Sequence, residues 1–69
     1  MIRYAPLWKM LLEKNATTYT LREKCKISHA TVERLQKDLS VTTYTLDKLC
    51  KIFNCQLYDI AEYIPDEQV

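Results

Sequence analysis

Apolar residues recur along this chain at the three- and four-residue spacing of a helix, in five short blocks separated by polar connections. After a lead-in over 1–5, the first block predicts a helix over about 6–14, opened by Pro6 in its first turn. Leu7 and Leu11 form its inner stripe, Trp8 and Leu12 a flanking one, and Lys9 with Glu13 an exposed pair. Trp8 fits either the edge of a core or a contact with a partner. Asn15 is suited to a left-handed cap after that helix. A second helix over about 18–25 begins at Thr17 or Thr18, with Leu21 and Cys25 on one face, and a third over about 28–37 begins at Ser28. In the third, Thr31, Val32 and Leu35 point inward. Residues 36–41 form a polar connection. A fourth helix, 43–53, turns Leu46, Leu49, Cys50 and Phe53 inward and stops at Asn54 in a left-handed conformation. A fifth, 57–64, buries Leu57, Ile60, Ala61 and Ile64 and is stopped by Pro65, leaving 66–69 as a frayed tail. The expected fold class is all-α, with five helices.

The segment 17–39 is where these elements acquire a function. Two short helices separated by about three residues must cross steeply, which is the helix-turn-helix arrangement whose second helix enters a DNA major groove. The displayed side of that second helix carries His29, Glu33, Arg34 and Lys37. Arg34 suits a guanine edge or a phosphate, Glu33 accepts from cytosine N4, His29 donates or accepts, and Lys37 neutralises a phosphate. Amides at the start of the first of the pair, near Thr18 and Tyr19, and at the start of the fourth helix, near Thr42 and Thr43, offer donors to phosphates. A mixed-charge stripe on a short helix is equally a solvated face. The two caps and the tight turn between them favour the DNA reading.

Composition bounds this picture. A chain of 69 residues is expected to make one domain, 1–69, burying only about 60% of the surface its unfolded form exposes. It leaves no room for a separate catalytic domain. No apolar run approaches the roughly 18 residues that span a bilayer, and no signal-peptide pattern opens the chain, so a cytoplasmic protein is expected. The net charge of +1 is unevenly spread: residues 1–58 hold all ten bases against five acids, and residues 59–69 hold four acids and no base. The acidic end is expected to lie away from any polyanion. Cys25, Cys50 and Cys55 are an odd set without a secretory signal, and they read as small core residues rather than disulfides. Cys25 and His29 lack the further ligands of a zinc site, so no metal and no cofactor is expected. A single histidine, no glycine for a phosphate loop and no paired nucleophile and base argue against an enzyme.

One repetition stands out. TTYTLREKCKI at 17–27 recurs as TTYTLDKLCKI at 42–52, matching at eight of eleven positions. Two copies are too few for a stacked-repeat fold, so the match reads as capping and core chemistry used twice. The same Cys-Lys-Ile ends one helix and continues another.

Three blocks, IRYAPLWKMLLEKN, TLREKCKISHATVERL with its I-S-x-x-T-V run, and TLDKLCKIFNCQLYDIAEYIP, resemble the phage-repressor-like helix-turn-helix family of the Cro and xenobiotic-response-element type. The likeness covers nearly the whole chain and is strongest to its compact, single-domain bacterial and phage-borne subgroup. It implies a lambda-repressor-like bundle of five helices with the helix-turn-helix in the second and third. By the resemblance, Ser28, His29, Ala30, Glu33 and Arg34 face the groove, and Thr18, Tyr19, Lys37 and Thr43 approach phosphates. The chain departs from the family where a turn glycine is replaced by Lys26, a small residue by Arg22, and loop glycines by Gln36 and Asp38.

The expected function is therefore a sequence-specific DNA-binding transcriptional regulator, a repressor acting as a homodimer on a two-fold operator. Tyr58 and Tyr63, aromatic rings with a polar tip, fit a dimer interface as well as a core edge. The alternative is a protein-binding helix-turn-helix module, an antirepressor or antitoxin-like partner, favoured by the weak net charge, Glu33 and the exposed aromatics.

Overall fold

Three of the four α-helices begin at a threonine or serine, and all four are followed by a residue in the left-handed region. In a computed structural model, which describes residues 1–65, α1 is Ala5–Glu13, α2 Thr18–Glu23, α3 His29–Gln36 and α4 Thr43–Phe53. Thr17, Ser28 and Thr42 are the N-caps of α2, α3 and α4. The Ser28 and Thr42 hydroxyls each accept the amide three residues on, at 3.2 Å. In α1, Pro6 lies in the first turn, where a missing N–H removes no helical bond.

The chain contains no glycine, and the helices are left through Asn15, Lys26, Asp38 and Asn54 at φ of 56°, 58°, 58° and 51°. Asn and Asp tolerate this region; lysine does so at a cost of about 1–2 kcal/mol. In each case the following amide reaches back over the helix end: Ala16 to the Leu11 carbonyl, Ile27 to Leu21, Leu39 to Arg34 and Cys55 to Cys50, at 2.8–3.0 Å. Three of these following residues fold back onto apolar neighbours. Ile27 is buried, while Ala16 and Cys55 pack against the core.

That core is Tyr4, Leu7, Leu11, Leu21, Cys25, Ile27, Val32, Leu35, Leu49 and Ile60. Trp8 is half-buried against it, whereas Leu12 stands 78% exposed rather than flanking the inner stripe. Leu46, Cys50 and Phe53 of α4 are half-buried around the fully buried Leu49.

Both ends of the described chain differ from expectation. The fifth helix is replaced by a single 3-10 turn at Leu57–Asp59, packed on α1, and a strand, β2, at Glu62–Tyr63. The lead-in contains a matching strand, β1, at Ile2–Arg3, antiparallel to β2 with Ile2 opposite Tyr63 and Arg3 opposite Glu62. Pro65 is the local cause. It biases Ile64 toward extended backbone, and an eight-residue helix has little to offset its nucleation. The Ile64 amide instead donates to the Met1 carbonyl at 2.8 Å. Of the four residues expected inward, Ile60 is fully buried, Ala61 and Ile64 are half-buried, and Leu57 is 55% exposed. The fold is thus four helices with a short two-stranded ribbon, and the tail at 66–69 lies outside the described residues.

Candidate nucleic-acid interface

Burial divides α3 into two arcs. Val32 and Leu35 are buried and Thr31 half-buried, while His29, Ala30, Glu33, Arg34, Gln36 and Lys37 at its end are exposed, as is the cap Ser28. At 3.6 residues per turn the exposed set forms one continuous strip. Leu21 and Cys25 share the buried core with Val32 and Leu35 of α3, and α2 packs directly on α3. Residues 24–28 join the two helices, a slightly longer turn than expected, because α2 ends at Glu23 and α3 starts at His29.

Ser28 is occupied within the protein: its hydroxyl accepts from the Thr31 amide and donates to Thr31 Oγ1 at 2.9 Å. His29 and Ala30 follow it on the first turn of α3, both exposed. Glu33 faces Lys37 in an exposed ion pair at 3.8 Å, a geometry worth a few tenths of a kcal/mol. Arg34 is anchored, since its Nε donates to the Ser40 carbonyl at 2.6 Å. Arg34 and Ser40 line a small cleft of about 370 Å³ together with Thr31, Val41, Thr42 and Thr45, at the start of α4.

The candidate phosphate contacts lie at the helix starts. Thr18, half-buried, and Tyr19, 66% exposed, open α2; Thr43 is exposed at the first position of α4. The repeated TTYT places Tyr44 at the second position of α4 as it places Tyr19 in α2. Tyr44 is 70% exposed with Lys48 Nζ 5.7 Å from its ring centre, within cation–π range. Tyr44, Ser40 and Thr45 were not among the expected site residues; the repeat was the signal that could have found Tyr44 and Thr45, while Ser40 lies outside it.

Charge follows the same division. Residues 17–37 hold five bases, Arg22, Lys24, Lys26, Arg34 and Lys37, against Glu23 and Glu33. Asp59 and Glu62 belong instead to the segment after α4, where the Asp59 carboxylate accepts the Gln56 amide at 2.9 Å. The end of α3 is braced from the other side by the N-terminal residues: Asp38 Oδ1 accepts the Tyr4 amide at 2.9 Å, and the Tyr4 hydroxyl donates to the Leu39 carbonyl at 2.8 Å.

A second surface lies beside β1 and β2. Ile2, Leu39, Leu57, Tyr58 and Tyr63 are all exposed and line a largely apolar groove of about 710 Å³. The two tyrosines expected at a core edge or an interface are 74% and 66% exposed, so neither is core.

Among the described residues no group of three or more His, Cys, Asp or Glu is placed to hold a metal, and the core contains no charged or polar residue. No helix among them is long and apolar enough to cross a membrane. The three cysteines are free.

Comparison with known proteins agrees with this geometry. The profile of the Cro/C1-type HTH DNA-binding domain matches residues 6–66. The crystal structure of the transcriptional regulator VanUg superposes with a TM-score of 0.88 at 32% identity, covering 94% of this chain and 87% of that one. No curated protein sequence matches. Family and fold are those of helix-turn-helix transcriptional regulators, which are not enzymes. With its two capped helices, exposed α3 strip and a profile match spanning all four helices, this chain belongs to the Cro/C1-type helix-turn-helix DNA-binding family.

Proposed function

We propose that the protein is a single helix-turn-helix domain, 1–69, that reads an operator in the cytoplasm as a homodimer and represses by occupying it. The observation that carries this reading is the exposed strip of α3 beginning at its own cap, with five bases against two acids across the helix-turn-helix. His29, Ala30 and Glu33 read base edges near the start of α3, and Ser28 sets their register by capping the helix. Arg34, tied to Ser40, delivers its terminal nitrogens to the base edge or phosphate nearest the start of α4. Thr18, Tyr19, Lys37 and Thr43 hold phosphates around it. The groove rimmed by Tyr58 and Tyr63 supplies the dimer surface, because apolar side chains exposed together in so small a protein favour a partner. That same groove is what favours the second reading, a module that binds another protein and not DNA.

Selection of duplexes from random DNA, followed by fluorescence anisotropy over a salt series, tests the proposal. Each phosphate contact contributes about −0.9 to the slope of log K against log salt, so replacing Arg34 and Lys37 together by alanine should flatten it by up to about 2. A selection that yields no enriched sequence, or a slope untouched by the double substitution, would overturn direct reading by α3. Half-sites about 34 Å apart are expected for a dimer on two successive major grooves.

A further inference from the structure

Two of the three cysteines are brought together by the way α4 ends. Asn54 turns left-handed at φ 51°, and the Cys55 amide closes on the Cys50 carbonyl at 3.0 Å. This is the helix stop in which the residue two beyond the last helical one folds back over the residue one turn inside. An apolar contact often fills that pair of positions; here both are cysteine, and the Cys50 thiol is near enough to add to the upward shift of the Cys55 pKa. Both are half-buried and free, while Cys25 is buried elsewhere in the core.

We infer that Cys50 and Cys55 form a reversible intramolecular disulfide that staples the end of α4, with a low-molecular-weight disulfide such as oxidised glutathione as the oxidant. Joining two cysteines needs their α-carbons close and their side chains convergent, and the cap folds Cys55 back onto the turn of α4 that holds Cys50. One thiolate attacks a glutathione sulfur, forming a mixed disulfide and releasing one glutathione thiol. The second cysteine gives up its proton and attacks the first cysteine's sulfur, forming the Cys50–Cys55 bond and releasing the second glutathione. Two protein thiols are oxidised by two electrons and one oxidised glutathione becomes two thiols, so the exchange balances and excess reduced glutathione reverses it. Burial holds the Cys55 thiol above its ordinary range, with the neighbouring Cys50 and Asp59 adding to the effect, so the exchange is slow at neutral pH and faster in alkali.

The consequence is local. The staple fixes the point where the chain leaves α4 for the segment 56–63, of which Leu57, Tyr58, Ala61, Glu62 and Tyr63 line the apolar groove, and leaves the exposed strip of α3 untouched. The inference does not depend on what the protein binds.

The full chain, incubated with excess oxidised glutathione and then alkylated, tests it by mass. Expected is a loss of two hydrogens with one alkylated thiol. Trypsin, cutting after Lys48 and Lys51, should then yield the peptide 49–51 joined to the peptide starting at Ile52, and reduction should separate them. The oxidised protein should melt higher than the reduced one, and Cys55→Ser should abolish both the linked pair and the shift. Three free thiols after the incubation, glutathione adducts that never resolve, linkage through Cys25, or disulfides only between chains would each overturn it.

Discussion

Replacing Lys26 by glycine should stabilise this protein, and the amount follows from one dihedral angle. Lys26 leaves α2 at φ 58°, where its Cβ crowds the following carbonyl at a cost of about 1–2 kcal/mol. Glycine removes that cost but gives the unfolded chain more freedom, returning about 0.5–1 kcal/mol. The net gain is about 0.5–1 kcal/mol. With a urea slope near 1 kcal/mol/M, the low end for small proteins, the midpoint should rise by about 0.5–1 M. The melting temperature should rise by roughly 2–8 °C. The polar contact at this position survives the change, because Lys48 Nζ donates to the Lys26 backbone carbonyl, at 3.3 Å. Removal of an exposed charge is the competing explanation, and Lys26→Ala isolates it: alanine loses the charge but keeps the Cβ, so its midpoint should stay near that of the parent. Asn15→Gly and Asn54→Gly should gain less, since asparagine already tolerates φ of 56° and 51°. Urea titration followed by circular dichroism measures all four. A lower midpoint for Lys26→Gly at unchanged slope, or an equal gain from Lys26→Ala, refutes the backbone argument.

Tyr4→Phe removes the hydroxyl that donates to the Leu39 carbonyl from a residue only 3% exposed, and should cost about 1 kcal/mol in the same titration; a change within a few tenths would mean the bond contributes nothing. Tyr58→Asp with Tyr63→Asp places two charges in the apolar groove and should leave the melting temperature nearly unchanged while shifting sedimentation toward monomer; a mass unaffected at all concentrations would exclude this surface from assembly. Burial raises the Cys25 and Cys55 thiols above their usual pKa of 9.0, so the folded state keeps protons that the unfolded state releases. Their contribution is complete below about pH 9 and falls as pH rises through the raised values; urea midpoints measured on either side should converge in the Cys25→Ala, Cys55→Ala double variant.

The parts of the fold legible in the sequence were those governed by local chemistry. Thr17, Ser28 and Thr42 are caps wherever a helix follows them, and Asn15 and Asn54 are stops because their side chains permit positive φ. Lys26 was legible as a misfit through the family resemblance, which expects a glycine at that turn. What could not be read was pairing between distant segments. Nothing around 57–64 announces that Glu62–Tyr63 will meet Ile2–Arg3, because the partner is some sixty residues away and each strand is two residues long. Pro65, taken as the end of a helix, acts one step earlier by extending Ile64. In the candidate site, exposure of the α3 strip followed from periodicity, but the tie from Arg34 to Ser40 crosses out of the helix into a loop, and no spacing rule predicts it.

The repeated segment shows how little separates the two outcomes. In both copies TTYT starts a helix at its first threonine and buries the leucine that follows to some degree, Leu21 fully and Leu46 by half. The copies then part at the shared Cys-Lys-Ile. In the first, Lys26 turns left-handed and Ile27 is buried, its amide reaching the Leu21 carbonyl; in the second, Lys51 and Ile52 continue α4 and Ile52 is 45% exposed. The three residues are identical, so the decision comes from what flanks them. Ile27 is followed by Ser28, which caps a new helix, and Cys50-Lys51-Ile52 by Phe53, which packs on the core from one more turn. Lys51 also pairs with Asp47 at 3.0 Å across a turn of α4, whereas position 22, the equivalent of 47, holds Arg22 opposite Lys26 and offers repulsion. Continuing α2 through residue 27 would therefore stack two cations and forgo the Ser28 cap. The left-handed lysine is the cost of starting α3 where it starts, and the position of the exposed strip of α3 depends on that choice.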